Sequence, residues 1–239
     1  VHLVSAETIP ERHSVRMCRR IGIPARGTAL ALLLACGTVP ALEQETQTWT
    51  AGQLVLPLRE GLDAGVRYRT RFSGVFDKRR LYQYQFTLGR TLGDGRRMRL
   101  GYEQFRTPGG LSENRYFPEL QLGSQAGGLP LRHRLRLEWR DINRLDDPVL
   151  RLRYKLAHRR PITTGGAYLE LRNEIFVSLS DEGPLIDRGI AQNRVGFTLG
   201  QPMGERSRLE LRYQWGYIDN DVIERGEHLI QLHWTWDGR

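Results

Sequence analysis

From Leu62 to Trp236 the chain alternates apolar and polar residues with period two, in one segment after another. Successive side chains of a strand point to opposite faces. The pattern therefore predicts strands with one dry face and one wet face, and helical periodicity is nearly absent. In 62–72, Leu62, Ala64, Val66, Tyr68, Thr70 and Phe72 oppose Asp63, Gly65, Arg67, Arg69 and Arg71. In 96–105, Met98, Leu100 and Tyr102 oppose Arg97, Arg99 and Glu103. In 113–122, Tyr116, Leu120 and Leu122 oppose Glu113, Arg115, Glu119 and Gln121, and Pro118 predicts a bulge or a late strand start. In 132–140, His133, Leu135, Leu137 and Trp139 oppose Arg132, Arg134, Arg136, Glu138 and Arg140. In 150–156, Leu150, Leu152, Tyr154 and Leu156 oppose Arg151, Arg153 and Lys155. Glu170, Arg172 and Glu174 continue the polar face in 167–177, Arg194 in 192–200, and Glu210 and Arg212 in 208–217. Segments 81–90 and 228–236 alternate likewise.

That makes ten segments of about ten residues separated by turn residues, the signature of a transmembrane barrel with apolar residues outward and polar residues inward. The expected fold is all-β: an antiparallel up-and-down transmembrane β-barrel of ten strands, with twelve as the alternative and a charged Arg/Glu lumen. Alternation alone does not say which face is inside, and a secreted soluble anion-binding barrel would carry the same pattern inverted. Aromatic residues near segment ends favour the membrane arrangement, since amphipathic rings settle at membrane–water interfaces. Tyr102, Tyr116, Trp139, Trp215 and Tyr217 fall towards one rim, and Trp234 and Trp236 towards the other. Shorter turns are expected around Gly93–Gly95, Gly123–Pro130, Arg159–Gly166 and Gln201–Ser207, and longer loops at Ser178–Ala191 and Ile218–Glu227. With ten strands, both ends of the barrel segment fall on the periplasmic side.

The N-terminal part reads as an export signal. Met17-Cys-Arg-Arg opens a basic stretch, Leu30 to Ala35 is apolar, and Val39-Pro40-Ala41 offers small residues for cleavage. An alternative is lipidation at Cys36, after Leu33-Leu34-Ala35. Residues 1–16 read as an upstream artefact, 17–41 as the signal peptide and 42–61 as a periplasmic lead-in or an extra strand. The barrel is expected over 62–236, and 237–239 as a tail. Cys18 and Cys36 both precede the folded part, so no disulfide framework is expected.

A net charge of +9 and a pI near 10.0 invite a nucleic-acid reading. Glutamates recurring on the arginine face, together with the export signal, argue against it.

The segments Glu113-Asn114-Arg115, Arg134–Arg140, Leu152-Arg153-Tyr154, Asn173–Phe176, Gln192–Gly196 and Gly216-Tyr217 resemble, in order and spacing, the bacterial family called domain of unknown function 2490. The resemblance covers roughly Trp49 to Trp236. It implies an outer-membrane β-barrel in the Gram-negative envelope and supplies no mechanism. The residues Asp237-Gly238-Arg239 after Trp236 depart from the aromatic ending common in such barrels.

The candidate site is the charge network of the lumen. It comprises Arg67, Arg69, Arg97, Arg99, Glu103, Arg115, Glu119, Arg134, Arg136, Glu138, Arg140, Arg151, Arg153, Glu170, Arg172, Glu174, Arg194, Glu210 and Arg212. A barrel of ~8 strands is just filled by side chains, and one of ~16 leaves a channel. The network is therefore either an ion-pair lattice that fixes register or a narrow, anion-preferring small-solute pore. No catalytic group, metal site or cofactor is expected, and His133 and His233 read as structural. The acidic segments Asp141…Asp147 and Asp219…Glu227 read as solvated loop charge or a divalent-cation site. Expected partners are outer-membrane lipids, lipopolysaccharide and the barrel-assembly machinery. A lipid-modifying barrel enzyme is the alternative.

Overall fold

The computed structural model describes residues 43–180, 188–220 and 223–238. The export signal expected over 17–41 and both cleavage positions lie outside these residues.

The described chain forms eleven strands. They are β1 (Glu43–Arg59), β2 (Leu62–Ser73), β3 (Arg79–Gly93), β4 (Arg96–Arg106), β5 (Ser112–Ala126), β6 (Leu129–Ile142), β7 (Val149–Pro161), β8 (Tyr168–Ser178), β9 (Gly189–Pro202), β10 (Ser207–Asn220) and β11 (Ile223–Asp237). Each pairs with its sequence neighbours, and β1 closes the barrel against β11. Closure leaves no strand edge unpaired.

The count corrects the expected ten, and the alternative of twelve. The extra strand is β1, in the segment read as a lead-in or strand. An even count lets every neighbouring pair run antiparallel, whereas an odd count forces one parallel pair. That pair is β1–β11, with Glu43 opposite Arg225 and Val55 opposite Asp237. Consequently β1 starts at one end of the barrel and β11 finishes at the other, not at the same end as a ten-stranded count required.

Turns 60–61, 94–95 and 127–128 lie at one end, and the connections 74–78, 107–111 and 143–148 at the other. The long loop expected at Ile218–Glu227 is not there. β10 runs to Asn220 and β11 begins at Ile223, so the ladder continues nearly to the connection. Tight turns need residues that tolerate positive φ, and Asp94, Gly95, Gly127 and Gly128 all take it.

Pro118 produces neither a bulge nor a late start. β5 runs through it, still paired to β4 at Leu100. Pairing to β6 lapses between Tyr116↔Trp139 and Glu119↔Arg136 and resumes in the same register. The missing proline N–H thus interrupts one ladder only. Outside, beside this gap, lies an apolar recess of about 340 Å³ lined by Leu100, Tyr116, Pro118, Leu137, Trp139 and their neighbours.

The apolar face is on the outside. Leu100 is 59% exposed, Trp139 54% and Phe86 50%, and the inward residues beside them are buried or half-buried. Two inward glycines make room for inward rings. A Cβ on Gly101 would stand 2.1 Å from Phe117, and one on Gly200 would stand 2.2 Å from Tyr168.

Candidate functional site

The lumen encloses a cavity of about 680 Å³ whose lining reaches from Thr107 and Leu111 at one end to Gly95 and Gly123 at the other. Its wall carries fifteen arginines and Lys155 against Glu103, Glu113, Glu170, Glu174 and Glu210.

On one side the charges interlock. Glu138 accepts from Arg151 at 2.5 Å and from Arg153 at 2.6 Å, with Arg136 at 3.5 Å. Arg136 also meets Glu119 at 2.5 Å and Glu103 at 3.0 Å. Glu174 joins Arg134 at 2.5 Å and Arg153 at 2.7 Å. Glu113 takes Arg115 and Arg140, each at 2.5 Å. Glu170 pairs with Arg132, and with Arg159 at 2.9 Å. Arg97 pairs with Asp63, Arg67 with Glu103 at 3.5 Å, and Arg99 with Glu119 at 3.5 Å. These pairs tie together β2 and β4 to β8. Charges this close stay together only because carboxylates separate the arginines.

The remaining wall is poorer in carboxylates. Arg194 reaches Glu227 at 3.8 Å, and Arg212 pairs with Glu210. Glu227, expected in an acidic loop, instead points inward and is buried. Among the described residues, no group of three His, Cys, Asp or Glu side chains could hold a metal ion. Arg69 lies over the Trp49 ring at 4.6 Å, with Arg71 and Arg194 farther out. The Nε atoms of Arg69, Arg71 and Arg194 are buried and meet no acceptor. Arg172 has neither Nε nor Nη2 satisfied.

Sequence reasoning missed the aromatic floor beneath the cations. Arg115 lies 3.7 Å from the Phe105 centroid, Arg136 3.8 Å from Phe117 and Arg153 4.5 Å from Phe176. Guanidinium on a ring face is favourable. The phase of the alternation could have found these rings, since Phe105, Phe117 and Phe176 share parity with Glu103, Glu119 and Glu174.

Both histidines read as structural sit in hydrogen-bond relays. His233 on β11 is 2% exposed, and its Nδ1 lies 2.9 Å from Glu210 Oε2. Glu210 also accepts from the Tyr168 hydroxyl and from Arg212. His133 faces outward: Ser124 Oγ is 2.7 Å from its Nε2, and the Tyr154 hydroxyl is 2.7 Å from its Nδ1. One self-consistent proton arrangement has Ser124 donating to Nε2 and Nδ1–H donating to Tyr154.

Residues 46–226 match the model of a family described as protein of unknown function (DUF2490). Searches of curated proteins and of solved structures returned no match.

Proposed function

The chain belongs to this family, and on that premise we propose an outer-membrane protein whose narrow, arginine-rich lumen binds and passes small anions. The matched region begins in β1 and ends in β11, so the family's common part is the barrel itself.

The observation that carries the reading is the pairing of opposite surfaces on one closed wall. Outside is a continuous apolar face, and contiguous patches of that extent on a soluble monomer normally mark a contact with lipid or protein. Inside is a cavity of about 680 Å³ walled mostly by cations. The export signal read in the sequence agrees with that destination. Short turns such as 94–95 and 127–128 then face the periplasm, and 107–111 and 143–148 face outward. Lipids and lipopolysaccharide surround the wall, and the barrel-assembly machinery inserts it.

Planar-bilayer recording under a salt gradient tests the conduit. Anion selectivity is the expected result, and cation selectivity or an absence of current defeats it. Heat-modifiable migration together with outer-membrane fractionation tests the location. A barrel soluble without detergent would sink it.

A second reading, a lipid-acting hydrolase, is favoured by the Ser124–His133–Tyr154 relay on the apolar face. Nucleophile, base and orienting group are in hydrogen-bond sequence. Ser124 Oγ would add to an ester carbonyl as its proton passes to His133 Nε2. The alcohol would leave with that proton, and water would then release the acid from the acyl-serine. A phenol stabilises an imidazolium less than a carboxylate does, so slow turnover is expected. Labelling by a fluorophosphonate, lost in Ser124→Ala, is the outcome this reading requires.

A further inference from the structure

On the wall formed by β8 to β11, nine of the described side chains lining the same cavity hold buried polar atoms with no protein partner. Six of them form one group: Arg172, Thr198, Arg212, Gln231, His233 and Thr235. Register brings them together: Thr198 stands opposite Arg212, Arg212 opposite Gln231, and His233 follows Gln231 on the same face of β11. Adjacent strands lie about 4.8 Å apart, and the wall is concave, so long side chains from β8 and β11 can meet over β9 and β10.

The chemistry of the unmet atoms is specific. Nε and Nη2 of Arg172 form one edge of its guanidinium, the fork that grips two oxygens of an oxyanion. Arg212 Nε and Gln231 Nε2 are further donors. His233 Nε2 is of the opposite kind. Its Nδ1 faces Glu210, whose oxygens already accept from Tyr168 and Arg212, so Nδ1 carries the proton. Nε2 of the neutral ring therefore offers a lone pair. The threonine hydroxyls can donate or accept. A bare oxyanion satisfies the donors and leaves His233 Nε2 unmet. Only an oxyanion that carries a proton satisfies both.

We propose that this wall is a binding site for a protonated phosphate group, as hydrogen phosphate or a phosphomonoester, with Arg172 and Arg212 holding its oxygens and His233 accepting its P–OH proton in a hydrogen bond. The proposal narrows the anion reading of the lumen and rests on it. Sulfate and phosphodiesters carry no such proton, so the site discriminates against both. An unmet buried polar group is what makes such discrimination large.

The test is calorimetric titration of the folded barrel in detergent, at about pH 6, where a monoester still carries a proton part of the time. The probes are inorganic phosphate, glycerol 3-phosphate, sulfate and dimethyl phosphate. Phosphate or glycerol 3-phosphate is expected to bind at least about tenfold more tightly than sulfate or dimethyl phosphate. Binding of glycerol 3-phosphate alone would assign the site to an organic monoester, and binding of both to the phosphate group itself. His233→Phe should reduce phosphate to the sulfate level, and Arg172→Leu should weaken both alike. Sulfate binding as tightly as phosphate in the native protein overturns the proposal, as does a preference that survives His233→Phe. The native comparison needs no variant to fold. Anion-selective current without the preference would remove the site and keep the conduit, whereas the preference without current would keep the site and remove the conduit.

Discussion

At the scale of single residues, the lumen is held by a few carboxylates, each shared among several arginines. Glu138 is the extreme case, 0% exposed and within 2.6 Å of both Arg151 and Arg153. Removing one partner from a buried pair leaves a charge without compensation, at a cost of about 3–5 kcal/mol. Glu138→Gln is therefore expected to lower the stability of the folded barrel by about that much, read as an earlier urea midpoint in detergent. A loss below about 1 kcal/mol would mean the lattice is hydrated rather than interlocked. The alternation made these charges legible as one face, and the structure turns that face inward. Their partners were not legible. Arg134 meets Glu174 from β6 to β8, skipping a strand, because the lumen is narrow enough for long side chains to cross. Period-two patterning carries no information about such reach.

At the scale of elements, the strands most readable in sequence were those with contrasting faces. β1 lacks that contrast. Its outward face carries Thr46, Thr48, Thr50 and Gly52, and its inward face carries Trp49, Ala51 and Val55 beside Gln47 and Gln53. A parallel neighbour on one side removes the need for a hairpin there, so only the turn at 60–61 announces it. Pro118 misled for a different reason: proline removes one donor, and here that donor points to β6 alone. Packing between elements gives a sharper test. Gly101 on β4 receives the Phe117 ring of β5, and a Cβ there would collide with it at 2.1 Å. Gly101→Val should prevent heat-modifiable migration, and Phe117→Ala added to it should restore folding in part. On the outward face of β6, Leu135→Arg should cost about 2–4 kcal/mol if, as proposed, that face meets the bilayer near its midplane. A silent Leu135→Arg would mean that this face does not meet lipid.

At the scale of the whole molecule, closure and charge act together. Eleven strands give a bore between the filled and the open limits, so the charges on the wall lie close to any ion inside. A low-dielectric wall focuses the field along the bore, and a bore lined by one sign raises the concentration of the opposite ion. The interlocked wall around Glu138 is close to neutral locally. The field is therefore set by the cavity-lining cations without an ion pair among the described residues: Arg69 and Arg71 beside Trp49, with Lys155 and Arg172. Because Arg69 and Arg71 make no such pair, replacing them should change selectivity more than it changes folding. Arg69→Glu with Arg71→Glu reverses two charges at one level of the bore. The anion preference in planar-bilayer reversal potentials should then fall strongly or invert, while heat-modifiable migration persists. Raising the salt from about 0.1 M to 1 M shortens the screening length from about 10 Å to 3 Å, so the native preference should also decline with salt. A preference unmoved by both changes would place the selectivity in the shape of the bore rather than in its arginines.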